Sequence, residues 1–320
     1  MISWLVFKDA VFMKKLAIAK FGFIILLTLF PTLCFSDKQA TISIIFSSDI
    51  TPYQQTWQGF KEFFEESKVS LRTSKHNLKH QDPQVICSQI QEKKPELILT
   101  LGGEASELIK KEIKNIPVVF SMVLNPNNFL SSNITGVSLN ISMEEKLKKI
   151  KSIFPDVKRI GIIYSPENTF LYEEALKACN KLNYQLIRKK INSVQELPKI
   201  LKEISWQIDC FLITPDSKIY FNKSIEYLLM ESLKRGFLVI GLSSYYTRAG
   251  APISFDCDYK DLGKQTAEIA LKILEGKKPT DILPSGPRKI IFSLNLLTVN
   301  KLGLKIPKAI IEEANEVFDK

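Results

Sequence analysis

From residue 42 onward, short β-branched runs alternate with amphipathic stretches of helical period almost to the C-terminus. Runs at 42–46, 69–73, 97–101 and 117–121 read as strands, with helices at 53–66, 82–93 and 104–114 between them. A second series has strands at 159–164, 184–188, 210–214 and 237–241 and helices at 171–182, 194–204 and 224–234. Strands alternating with helices of about 10–15 residues form right-handed βαβ units, hence a parallel sheet covered on both faces. Between the series lie Asn125-Pro126-Asn127-Asn128 and Ser131-Ser132-Asn133, a polar, turn-rich stretch. Two successive sheet domains follow from this break. The length of 320 residues supports it, since one core takes roughly 100–200. Beyond them, 258–275 reads as a long helix ending at Gly276, 289–294 as a further strand, and 296–302 and 307–317 as short helices.

Residues 1–36 have the order of a secretory signal, starting at residue 1 or at Met13. Lys14 and Lys15 precede an apolar run at 21–33, and Cys34 and Ser36 stand at the −3 and −1 positions of a cut after Ser36. The run is shorter than the roughly 20 residues that span a bilayer. Leu33 before Cys34 argues against a lipid anchor, which favours a small residue there. The chain is therefore expected outside the cytoplasm, in a periplasm or its equivalent. The leader's four lysines and one aspartate carry +3 of the formal charge of +10, leaving +7 on the rest. Those remaining lysines are spread over helical stretches such as 144–151 and 196–202. Nucleic-acid binding needs basic residues clustered on one face, and none cluster here.

Enzyme signatures are missing. There is no G-x-S-x-G elbow, no H-E-x-x-H, no Walker loop and no G-x-G-x-x-G. His76 and His80, the only histidines, flank Asn77 close to Pro83 and read as solvated loop residues. Of Cys87, Cys179, Cys210 and Cys257, none form a C-x-x-C pair; Cys210 reads as a small buried hydrophobe, and any disulfide pairing stays open. The expectation is a binding protein with no catalytic residues, metal or cofactor.

Ligands of open parallel sheets sit at the carboxyl ends of the strands. Five loops there carry polar groups: Ser47-Ser48-Asp49-Ile50-Thr51-Pro52-Tyr53, Gly102-Gly103-Glu104, Ser121-Met122-Val123, Ser165-Pro166-Glu167-Asn168-Thr169 and Thr214-Pro215-Asp216-Ser217. Any one of them serves equally as a helix cap. Their presence in both series is what a cleft between lobes requires. The two glycines at 102–103 expose backbone N–H groups at a helix start, which suits a carboxylate.

Four motifs resemble, in order, one known family: Asn133-Ile134-Thr135-Gly136-Val137-Ser138; Phe154-Pro155-Asp156-Val157-Lys158-Arg159-Ile160-Gly161; Arg248-Ala249-Gly250-Ala251 with Asp258-Tyr259-Lys260-Asp261-Leu262-Gly263; and Lys301-Leu302-Gly303-Leu304. They are similar to the extracytoplasmic solute-binding proteins whose better-known members receive tryptophan or phenylalanine for ABC importers. The resemblance covers about 41–316. It implies an α/β, type I periplasmic-binding-protein-like fold of two Rossmann-like parallel-sheet lobes around a central cleft, with three inter-lobe crossovers. Lobe one would be 41–135 plus 248–282, and lobe two 136–247 plus 283–320. It further implies a monomer that traps a small molecule, an aromatic or apolar amino acid, by hinge closure and delivers it to an ABC permease. A ligand sensor reporting to a membrane signalling partner would share the pattern.

Carried over residue by residue, the resemblance places Asp216 where the family has an ammonium-binding Asp in a Thr-Asp-Asn pattern, with Ser217 in place of the Asn. The ligand carboxylate would meet Ser48 and the backbone of Gly102 and Gly103, and Tyr53, Phe170 or Tyr245 would stack on its side chain. The chain departs from the family at Gly103-Glu104, at Phe170-Leu171 (unless Asn168-Thr169 align instead) and at Ser244. Asp49, Ser121 and Met122 complete the expected site.

Overall fold

The computed structural model describes residues 39–319, so the leader reading and Cys34 lie outside the described residues. The first sheet holds β1 (Ala40–Phe46), β2 (Leu71–Asn77), β3 (Leu97–Leu101), β4 (Val118–Val123) and β5 (Ile134–Ser138), all parallel, in the order β2-β1-β3-β4-β5. Its connections are α1 (Thr51–Glu66), α2 (Pro83–Lys93) and α3 (Gly103–Glu112). The second sheet holds β6 (Arg159–Tyr164), β7 (Gln185–Lys190), β8 (Cys210–Leu212), β9 (Leu238–Gly241), β10 (Ile253–Cys257), β11 (Ile290–Asn295) and β12 (Glu316–Phe318), in the order β12-β11-β10-β9-β8-β6-β7. Only the β10–β11 pair is antiparallel. Its helices are α4 (Met143–Ile153), α5 (Thr169–Leu182), α6 (Leu197–Ile204), α7 (Asn222–Arg235) and α8 (Ser244–Arg248). They are followed by α9 (Tyr259–Leu274), α10 (Leu296–Lys301) and α11 (Lys308–Glu313).

The central strands of each sheet are buried on both faces, which is why β3, β4 and β6 are largely apolar runs. In β1, Ile42, Ile44 and Phe46 enter one core with Trp57, Phe60 and Phe64 of α1, while Ile45 enters another with Ile86 and Ile90 of α2. The second sheet repeats the scheme, with Ile160 and Ile162 of β6 facing α4 and α5, and Ile163 facing α6 and α7. The strand order reverses at the same place in both lobes, between β1 and β3 and between β6 and β8. Such switch points open a crevice at the carboxyl ends of the strands.

Strand pairing corrects the expected lobe boundaries. The strand β5 runs in the first sheet through Ser138, past the expected change at 136. The strand β10, expected in lobe one, pairs with β9 and β11 in the second sheet. The helix α9 then returns to the first lobe and packs on α1, β4 and β5. Ser285, expected in lobe two, still exchanges backbone hydrogen bonds with Gly136 and Ser138. The chain thus crosses between lobes at 139–142, at 257–258 and at 286–289. The expected helix at 307–317 is also shorter: α11 stops at Glu313 and β12 adds a parallel strand to β11.

His76 is not a loop residue. The strand β2 extends to Asn77 and buries it, 4% exposed, with neither ring nitrogen hydrogen-bonded. Burial, helped by the nearby Lys93 charge, lowers its pKa. His80 is exposed and bonds Asp49. Cys87, Cys179, Cys210 and Cys257 are buried free thiols, and burial pushes Cys179 up to about 11.

Candidate ligand-binding cleft

The crevice of the first lobe is built on Gly102. Its φ of +102° precedes α3, a conformation that suits glycine. A Cβ there would lie 2.4 Å from Tyr53 Oη and 2.5 Å from Ser47 Oγ. Ser47 Oγ accepts the Ala105 N–H at 3.0 Å, satisfying one free donor of the helix start. Burial, then the Glu104 charge, raises the Tyr53 phenol pKa, so its hydroxyl stays neutral. Ser48 is part-exposed and Gly103 and Glu104 open α3. Asp49 faces the β2 side, where Asn77 Nδ2 and His80 occupy its two oxygens. Ser121 and Met122 sit in the interior: Ser121 Oγ accepts from Thr266 of α9 at 3.0 Å, and Met122, at a register shift between β4 and β5, packs into the core.

The crevice of the second lobe is organised by Asp216, only 2% exposed. Its Oδ2 accepts the Ser165 N–H at 2.8 Å and its Oδ1 the Lys218 N–H at 3.2 Å, tying the loop after β6 to the loop after β8. Asn168 Nδ2 donates to Ser165 Oγ at 3.1 Å, and Thr169 Oγ1 to the Pro166 carbonyl at 2.8 Å. Above the buried aspartate, Lys218 Nζ meets Glu167 Oε1 at 2.5 Å, and this pairing holds the Glu167 carboxyl below the usual range. Ser217 is exposed; Ser244 begins α8, and Tyr245, 55% exposed, stands edge-on to Tyr246.

The two lobes meet around a cavity of about 240 Å³. Leu124, Asn125 and Asn128 line it from the first lobe, Asn140 from the first crossing, and Glu167, Asn168, Phe170, Leu171 and Pro215 from the second lobe. It offers four amides, one carboxylate, an aromatic ring and aliphatic walls. Asn168 and Phe170 were expected there. The asparagines at 125 and 128 read as linker in the sequence, and Glu167 was passed over inside a loop that was otherwise singled out. A larger hollow of about 600 Å³, bordered by Arg159, Trp206, Asp209, Arg235 and Lys305, opens near the amino ends of β6, β8 and β9. It is walled by one lobe and lies away from the switch points, so the smaller cavity is the better candidate. Among the described residues, no group of three or more His, Cys, Asp or Glu is placed to hold a metal ion.

A family model described as "ABC transporter substrate binding protein" matches residues 53–318. A tyrosine-binding protein of Clostridioides difficile is 26% identical over 210 residues, 62% of this chain; the alignment spans 60% of that relative's length. An uncharacterized protein of Rickettsia prowazekii is 25% identical over 282 residues, 86% of this chain and 89% of its own. The ligand-free, open structure of a substrate binding protein with adhesive properties from Clostridium difficile superposes with a TM-score of 0.75 at 20% identity, over 88% of this chain and all of that one. A Streptococcus domain in complex with L-Trp gives 0.61 at 19%, with the same coverage. At those identities the two structures speak for the fold, which is the type I periplasmic-binding fold.

Proposed function

Since this chain belongs to the ABC transporter substrate-binding protein family, we propose that it is the extracytoplasmic receptor of an importer and carries an aromatic or apolar amino acid between its lobes. The observation that carries this reading is the cavity at the facing carboxyl edges, which draws its walls from both lobes and combines amides and a carboxylate with Phe170, Leu171 and Leu124. A ligand held by both halves favours the closed arrangement over the open one, and the three crossings are where the chain would bend. The named ligands of two similar proteins, tyrosine and L-Trp, fit such a mixture of polar ends and aromatic wall. The signal-like leader agrees with export, and no helix among the described residues is long and apolar enough to cross a membrane. An ABC permease is the partner that receives the ligand.

Titration calorimetry with L-tyrosine, L-tryptophan and L-phenylalanine tests this. At least one is expected to bind, and saturation is expected to reduce the radius of gyration in X-ray scattering. Phe170→Ala should weaken binding by roughly 3–10-fold, the worth of one aromatic contact of about 0.5–1.5 kcal/mol. The reading falls if none of these, nor any other amino acid or nucleoside, gives binding heat or a thermal shift.

A further inference from the structure

The first lobe holds another hollow, of about 390 Å³, at the amino ends of β1 and β2 and so at the opposite end of those strands from the cleft. Thr41, Ser43, Arg72, Ser74, Lys93 and Pro95 are among its lining residues. The pairing of β1 with β2 sets Thr41 beside Arg72 and Ser43 beside Ser74. Side chains two apart along a strand share a face, so Ser43 and Ser74 lie on the side of Ile45, which packs against α2. Lys93 comes from the last turn of that helix.

The donors around this hollow outnumber its acceptors. Arg159, Arg235 and Arg288 bond carboxylates, and Arg188 and Arg248 lie over aromatic rings. Among the described residues, Arg72 is the arginine with neither kind of partner, and Lys93 forms no ion pair. Glu96 bonds the Thr41 N–H and hydroxyl at 2.8 and 3.1 Å and pairs with neither cation. Ser43 Oγ and Ser74 Oγ share one hydrogen bond of 2.8 Å. Two hydroxyls bring two protons to that contact and it uses one, which leaves the other to donate. A charge on an edge strand such as β2 discourages the addition of a further strand, but any exposed cation does that and needs no hollow. We propose that this hollow is an oxyanion site for a phosphate group: the Arg72 guanidinium grips two phosphate oxygens, Lys93 supplies the second charge, and the free serine hydroxyl donates to a third oxygen. Lys93 also offsets the carbonyl end of α2, so Arg72 is the principal contact. Both cations are exposed, and a phosphate in solution and one on a lipid headgroup reach them alike. The site stands apart from the cleft and does not depend on the amino-acid reading.

Calorimetry with inorganic phosphate at low ionic strength tests the first source. Binding should weaken as chloride is added. Arg72→Gln should weaken it roughly 10-fold or more and Lys93→Gln roughly 3-fold or more. Lys308→Gln makes the same charge change at a side chain 90% exposed on α11 and should leave it unaltered. Co-sedimentation with phosphatidylglycerol vesicles, against phosphatidylcholine vesicles as the zwitterionic reference, tests the second source. If the headgroup is the occupant, free phosphate gives no heat, and vesicle binding falls in Arg72→Gln but not in Lys308→Gln. Proton NMR locates the phosphate. His76 is buried near enough to Lys93 to feel its charge, so its ring resonances should shift on titration. Those of His80, exposed and held on Asp49, should not. Absence of binding to both phosphate and phosphatidylglycerol overturns the assignment. So does binding that falls equally in Lys308→Gln, or phosphate binding that leaves the His76 ring unmoved.

Discussion

At the scale of single residues, His76 stands apart among the buried polar side chains of the described residues. His76 has two ring nitrogens in an apolar setting and no hydrogen bond to either. A buried polar group left unpaired costs about 1–3 kcal/mol, while an apolar residue of similar size at the same place costs nothing of that kind. His76→Leu should therefore stabilise the fold by about 1 kcal/mol or more in urea denaturation at pH 7.5. The gain should widen on acidification. Burial holds the folded-state pKa of His76 below its ordinary value of 6.5, so once the pH falls through 6.5 the unfolded chain takes up a proton that the folded chain refuses. The unmodified protein loses stability there and the leucine variant does not. Curves that stay parallel from pH 7.5 to 5.5 would count against this account. The same distinction explains what could be read of the site beforehand. A carboxylate type at 216 is visible in the sequence, whereas its burial beneath Glu167 and Lys218 depends on two loops that are 51 residues apart and meet only in the fold.

At the scale of elements, α1 and α9 pack closely through glycines on both helices. A Cβ on Gly59 would come within 1.8 Å of the Lys260 carbonyl oxygen, and one on Gly263 within 1.9 Å of the Thr56 carbonyl oxygen. Those contacts are to backbone, which cannot swing aside. Gly263→Ala should destabilise the protein by roughly 1–3 kcal/mol or more, visible as a lowered melting temperature, despite the better helix propensity of alanine. A neutral outcome would mean that the helices sit farther apart. Elements with both faces covered were legible because two covered faces demand continuous apolar runs, as at 97–101 and 159–164, where expected and observed strands coincide. The strand β10 was not, since its five residues alternate Ile253 and Phe255 with Ser254 and Asp256 between two helices. The strand β12 was missed because Ile310 and Ile311 continue a helical period into Glu316-Val317-Phe318, and only the pairing with β11 makes that segment extended.

At the scale of the whole molecule, the crossings couple the lobes, and the second of them carries a titratable group. Asp256 is the penultimate residue of β10 in the second lobe, while its Oδ2 accepts the hydroxyl of Tyr259 at the start of α9 at 2.9 Å. Burial, opposed by the bonds from Tyr259 and the Cys257 N–H and supported by the Glu316 charge, raises its pKa to about 6, against 3.8. A raised folded-state pKa contributes stability that is complete below 3.8 and lost as the pH climbs through 6. Asp256→Asn keeps an acceptor for Tyr259 and removes the buried charge, so it should equal the unmodified protein near pH 4 and exceed it by about 1–3 kcal/mol above pH 7. Denaturation curves at the two pH values check the sign; a deficit of the variant at pH 7.5 would refute it. The crossings also bear on how the protein is made. The first lobe is completed by α9, and the second sheet by β10, β11 and β12, all encoded after residue 250. During synthesis the first sheet, finished at Ser138, waits for a helix that begins only at Tyr259. The nascent polypeptide consequently stays short of either finished lobe until those late elements have emerged.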